Sequence, residues 1–217
     1  MSLVQTIITE NFVLVGADKR GIEESGNEMH ENCNKLIKLN NQIIFGCTGG
    51  LLDNYKLFEE FCNYDDELGL IKSKSNFDLT YNDFIQIVES KFEDMLILHN
   101  RKGNNITYDI NSVVSGYNGH EFEATCFTIG SEFGIPDGIV KVQKANNFPY
   151  KGVNAGRIEH MHNLHNLVQD TYFTTGKLTI RQCKNILYDV FEQGSKFDET
   201  INNKVCFEYI KKKDVIN

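Results

Sequence analysis

MSLVQTIITENFVLVGADKR, residues 1–20, decides how the rest of the chain is read. Thr6, Ile7 and Ile8 read as a β-strand and Glu10 and Asn11 as a tight polar turn. Phe12 to Ala17 read as a second apolar strand that stops at Asp18, Lys19 and Arg20. The result is a hairpin with a small hydroxyl residue at its start and a charged triplet at its finish. Removal of Met1 makes Ser2 the amino terminus. A hydroxyl and a free α-amine on one residue form a self-contained nucleophile and base, because an α-amine with a pKa of roughly 7.7–8.0 is half neutral near physiological pH.

Composition bounds what this hairpin can belong to. A chain of 217 residues, 41% hydrophobic and 24% charged, suits one domain over 1–217 with a substantial core. Its net charge of -8 argues against nucleic acid or an anionic membrane as a partner, since either would want a basic face. No apolar run approaches the ~18 residues of a membrane span, and no secretory signal opens the chain, so a cytoplasmic location is expected. Cys33, Cys47, Cys62, Cys126, Cys183 and Cys206 are widely scattered without a CxxC pair. They read as reduced, mostly buried thiols rather than a disulfide frame or a zinc site, and no metal or cofactor is expected.

Outward from the hairpin, Asp18 to Glu31 is a polar stretch that must loop or run as an edge. Lys35 to Leu39 and Gln42 to Cys47 are short strands joined at Asn40 and Asn41. In CTGGLLDNYKLFEEF, residues 47–61, Gly49 and Gly50 mark the passage from strand to a helix bearing Leu51, Tyr55, Phe58 and Cys62. A glycine pair there lets backbone N–H groups face a ligand. A second helix opens at Thr80, with Asp83 three residues on, and runs to about His99. Thr107 to Tyr117 and Phe122 to Ile129 are strands around Asn118-Gly119, followed by a long irregular region. Leu178 to Glu192 is a third helix and Val205 to Ile210 a last strand. Two antiparallel sheets packed between helical layers satisfy this order, which makes the chain α+β.

Taken together, VLVGADKR (13–20), NKLIKL (34–39), FGCTGG (45–50), TIGS (128–131) and LTIRQCKNILYDVFEQGSKFDET (178–200) resemble a known family. They are similar to the proteasome-type β-subunits and the peptidase of the bacterial two-component ATP-dependent protease, both N-terminal-nucleophile hydrolases. The resemblance covers nearly the whole chain and implies a four-layer αββα sandwich. It places Ser2 on the catalytic threonine, Asp18 and Lys35 on the charged pair beside it, and Gly49 on the oxyanion-hole glycine. Ser131 and Asp198 fall on residues near the terminal amine. By the same carry-over, Gly21, Cys33, Ile37, Cys47 and Leu51 line an uncharged substrate pocket. A peptide or unfolded-protein substrate, a homo-oligomeric ring and an ATPase partner are implied as well.

Two departures stand out. Ile201, Asn202 and Asn203 replace the family's serine and glycine pair, so support of the amine is partly lost or rebuilt by Thr200. Residues 137–176 read as an insertion in which His160, His162 and His165 belong to a polar surface loop rather than a metal site.

The residue types fit one chemistry. Ser2 attacks a carbonyl while its own amine takes the proton, Lys35 biases that amine toward its neutral form, and Asp18 orients Lys35. On this reading, Lys35→Ala abolishes hydrolysis and leaves the fold intact. A catalytically silent ring or scaffold subunit of the same fold, or a small-molecule amidase, are the alternative readings.

Overall fold

The computed structural model describes residues 3–22, 29–65, 70–73, 78–102, 110–130, 137–143, 149–156 and 158–216. β1 (Val4–Thr9) and β2 (Phe12–Asp18) form the expected hairpin, with Val4 opposite Ala17. Thr9 fixes its turn: the hydroxyl donates to Phe12 O and accepts from the N–H groups of Asn11 and Phe12. Every residue of both strands is buried. That burial on two faces explains the apolar run where a half-exposed strand would alternate.

Two-residue strands β3 (Gly21–Ile22) and β4 (Met29–His30) pair with each other, so the polar stretch after Asp18 folds back on itself. β5 (Leu36–Lys38) and β6 (Ile43–Gly49) follow, then α1 (Leu51–Phe58), the paired β7 (Cys62–Asp65) and β8 (Leu70–Ser73), and α2 (Tyr81–Lys102). The expected cap of α2 forms, with the Asp83 N–H donating to the Thr80 hydroxyl at 3.2 Å. β9 (Ile110–Tyr117) and β10 (Phe122–Ile129) make the second hairpin around Asn118 and Gly119. β11 (Gly138–Gln143), β12 (Tyr150–Ala155), α3 (Ile158–Thr175), α4 (Ile180–Phe197), β13 (Val205–Lys211) and the short α5 (Lys212–Val215) complete the chain.

One antiparallel sheet has the order β12-β1-β2-β13 and the other β11-β10-β9-β6-β5. Three cores divide the apolar side chains. Val4, Ile8, Val13, Val15 and Ala17 of the first sheet meet Leu36, Ile44, Val113 and Phe122 of the second. The far side of the second sheet packs Phe45, Val114 and Phe127 against Phe58 of α1 and Phe84, Val88 and Phe92 of α2. The far side of the first packs Ile7 and Leu14 against Leu164 and Val168 of α3 and Leu187 and Phe191 of α4. Alternation along each strand feeds two cores at once: Ile44 faces one and Phe45 the other.

The stretch 137–176 corrects the sequence reading. Its described residues are neither irregular nor a surface loop: β11 and β12 each extend a sheet, and α3 packs on α4. Tyr150, Val153 and Ala155 are buried because β12 pairs with β1, Val4 lying opposite Ala155. His160 is buried with its ring against Gly194 of α4, while His162 and His165 are exposed, His165 beside Tyr150. α4 also runs beyond the expected Glu192 to Phe197, started by a capping box between Thr179 and Gln182. All six cysteines are free thiols. Among the described residues no helix is long and apolar enough to cross a membrane.

Candidate active site

The end of β2 brings a carboxylate into the interior. Asp18 is 0% exposed and Lys35, just ahead of β5, is 7% exposed, with Lys35 Nζ 2.8 Å from Asp18 Oδ1. A buried pair needs its remaining valences met, and here the backbone meets them. Leu3 N–H donates to Asp18 Oδ1 at 2.8 Å and Arg20 N–H to Asp18 Oδ2 at 2.9 Å. Burial pushes the Lys35 ammonium below the usual lysine range, and the neighbouring Asp18 carboxylate opposes that shift. The lysine therefore releases its proton more readily than one on the surface.

Thiols surround this pair. Cys47 N–H donates to Lys35 O at 3.1 Å, and Cys33 N–H donates to Lys19 O at 2.9 Å. Cys206 lies against β2, its Sγ 3.5 Å from Ala17 O. Burial raises all three thiols, Cys47 to about 12, so they are neutral at ordinary pH and leave Asp18 as the lysine's charged partner. Gly21 touches Cys33 so closely that a Cβ on Gly21 would come within 2.4 Å of Cys33 Sγ. Of the expected pocket residues, Gly21 and Cys33 are thus in contact, while Ile37 and Cys47 are buried in the core under α1 and α2. Leu51 opens α1, and its side chain lies outside the described residues.

Gly49 ends β6 two residues beyond Cys47 and adopts φ +83°, a conformation other residues rarely hold. Asn54, which sequence reasoning missed, braces this turn. Its side-chain amide donates to Thr48 O at 3.0 Å and to Gly50 O at 2.8 Å, reaching back from the first turn of α1 on either side of Gly49.

Asp198 caps the C-terminal end of α4, and its Oδ1 accepts from both the backbone N–H and the hydroxyl of Thr200. The structure shows no direct bond between Asp198 and the Asp18–Lys35 pair among the described residues. Asn202 instead joins the segment after Asp198 to the strand end next to Asp18. Its Oδ1 accepts from Lys19 N–H at 2.9 Å, and its Nδ2 donates to Glu31 Oε2 at 2.9 Å. Arg20 forks onto Glu31 Oε1 through Nε and Nη2, each at 2.9 Å, and also donates to Glu199 O. The bond from Asn202, with Arg20 and Lys204 adding to it, holds the Glu31 carboxyl below its ordinary value. Thr200 thus donates to Asp198, and Asn202 ties the strand end to the α4–β13 loop. The one signal in the sequence was that Asn202 stands where the family has a small residue. Ser2 and Ser131 lie outside the described residues.

The described geometry is that of a mixed α+β protein with two antiparallel sheets, carrying a buried lysine–carboxylate pair at the start of its first strand. No family model and no curated protein matches the chain in sequence. Among solved structures it is similar to the Anbu (Gly-1) mutant from Hyphomicrobium sp. strain MC1. The TM-score is 0.62 at 8% identity, over 97% of this chain and 82% of that one. At that identity the likeness shows the fold alone.

Proposed function

We propose that the chain is a proteasome-like peptidase with Ser2 as its N-terminal nucleophile, built on a four-layer αββα sandwich and working within a homo-oligomeric ring. The observation that carries this reading is the bond from Leu3 N–H to Asp18 Oδ1, the oxygen that also holds Lys35. That N–H belongs to the peptide bond joining Leu3 to Ser2, so the charged pair is one residue from the proposed nucleophile.

Ser2 Oγ attacks the substrate carbonyl carbon as its proton passes to the Ser2 α-amine, directly or through water. The amine then gives that proton to the departing peptide nitrogen as the C–N bond breaks, leaving an ester on Ser2. Water hydrolyses the ester, its proton returning by the same amine to Ser2 Oγ. The positive charge of Lys35 favours the neutral, basic amine. Gly49 N–H donates to the developing oxyanion, a contribution whose loss typically costs about 2.7–4 kcal/mol of barrier. Ser131 and Asp198 complete the proposed set, and Gly21, Cys33, Ile37, Cys47 and Leu51 give the substrate an uncharged wall. An ATPase partner feeding unfolded protein belongs to this reading.

The chemistry requires removal of Met1, since an acylated Ser2 nitrogen has no useful basicity. Intact-mass analysis of active protein is expected to show Met1 absent, and a peptide epoxyketone or β-lactone to label residue 2. Activity with Met1 fully retained, or labelling that survives Ser2→Ala, removes the mechanism. The replacement of the family's serine and glycine pair by Ile201, Asn202 and Asn203 favours a second reading, a silent ring subunit. That reading is selected if processed protein takes no label.

A further inference from the structure

The face of the second sheet that looks toward the first is mostly apolar in its middle and turns polar at one end. Across β6, β9 and β10 its successive rungs are Ile44–Ser115–Ala124, Gly46–Val113–Cys126 and Thr48–Asn111–Thr128. β1 crosses them in order. Thr6 Oγ1 lies 3.2 Å from Ser115 Oγ on the first rung. On the second, a Cβ on Gly46 would come within 2.9 Å of Val4 Cγ1. Toward its N-terminal end the strand therefore advances on the third rung.

That third rung is built unlike the others. Thr48, Asn111 and Thr128 are 2%, 1% and 5% exposed. Among the described residues Thr48 Oγ1 and Asn111 Nδ2 are buried without a hydrogen-bond partner, whereas Ser115 on the first rung has Thr6. An unmet buried donor carries its full desolvation cost, so such a pair is kept when something polar completes it. Two facing groups of this kind suit a water, which needs two to four polar partners.

We propose that Thr48, Asn111 and Thr128 are a positioning set that holds an ordered water between the sheets, at the end of β6 that carries Gly49. The proposal rests on the reading of Ser2 as the nucleophile. Thr48 and Asn111 bond the water, Thr128 closes the rung beside them, and the water steadies the end of β6 whose Gly49 N–H serves the attack by Ser2. Thr48 precedes the oxyanion glycine, so the water braces the strand end that presents the donor for the substrate oxygen.

A crystal structure of processed protein that resolves ordered solvent is expected to show water at about 2.7–3.2 Å from Thr48 Oγ1 and the Asn111 amide. Side chains bonded to protein groups, with no water, overturn the proposal. Stopped-flow acylation by a β-lactone supplies the functional arm. Thr48→Val and Asn111→Leu, which keep size and remove polarity, are expected to slow labelling of Ser2 at least tenfold with the melting temperature held or raised. Thr48→Ser is expected to restore the rate. Labelling of both apolar variants at the parental rate overturns the role while leaving the peptidase reading intact. A processed parent protein that takes no label defeats both.

Discussion

Asp18–Lys35 and the Arg20–Glu31–Asn202 clasp are neighbouring ion-pair systems, the one inside the protein and the other on its rim. The inner pair is almost wholly sealed from solvent, with backbone N–H groups filling the valences the lysine leaves. The outer pair is 21% and 39% exposed, and its geometry is fixed by an amide from a loop far along the sequence. A sealed pair is dangerous to break because the survivor is stranded, whereas an open pair surrenders little because water replaces it. The proposed mechanism therefore draws on the inner system, and the outer one aligns the segment beside it.

Breaking the inner system gives the largest effect. Lys35→Ala is expected to abolish turnover and, contrary to the sequence expectation of an untouched fold, to cost about 3–5 kcal/mol in urea unfolding because Asp18 remains buried. The double variant Asp18→Asn with Lys35→Met is expected to recover most of that stability and none of the activity. A double variant as unstable as Lys35→Ala would show that packing, rather than a stranded charge, governs the site.

Asn202→Ala tests the joint between the two systems. It deprives Lys19 N–H of its acceptor, and the expected loss is about 1–3 kcal/mol. Peptide kinetics are expected to show KM rising more than kcat falls, since the loosened segment carries Gly21 and contacts Cys33. An equal fall in kcat with KM unchanged would move Asn202 into the chemical step.

The smallest effect belongs to Glu31. Its carboxyl is held below the ordinary value, so the folded state binds fewer protons than the unfolded chain between the two values. Its contribution is present above about pH 4.5, the unfolded value, and fades as pH falls through the lower folded one. The stability gap between the parent and Glu31→Gln, followed by unfolding across this range, is expected to close on acidification. A gap that widens on acidification reverses the assignment.

Local patterns made part of this molecule legible in the sequence. The β1–β2 and β9–β10 hairpins, the capped start of α2 and the strand end carrying Asp18 all rest on neighbours within a few residues. The Asp18–Lys35 contact followed from the resemblance and holds at 2.8 Å. β12 escaped because YKGVNA alternates weakly and finds its partner in β1, far back in the chain. α3 escaped for a related reason: its polar residues include His160, which burial against α4 turns into a core residue. Asn202 was noticed as a departure, but its bonds to residues 19 and 31 exist only once the sheets have closed. Asn54 is the plainest omission, since an asparagine early in a helix gives no hint of bonds to Thr48 O and Gly50 O.

The pairing of Val4 with Ala155 also governs how the protein is made. β1 leaves the ribosome well before β12, so one of its edges has no mate until on the order of 150 further residues have been added. At about 5–20 residues per second that delay is roughly 8–30 s. Throughout it an apolar strand presents open N–H and C=O groups to any passing chain. The nascent chain is therefore expected to be most prone to aggregate between the emergence of β1 and that of β12. A chaperone that shields β1 and β2 would raise yield more than one acting on the finished chain.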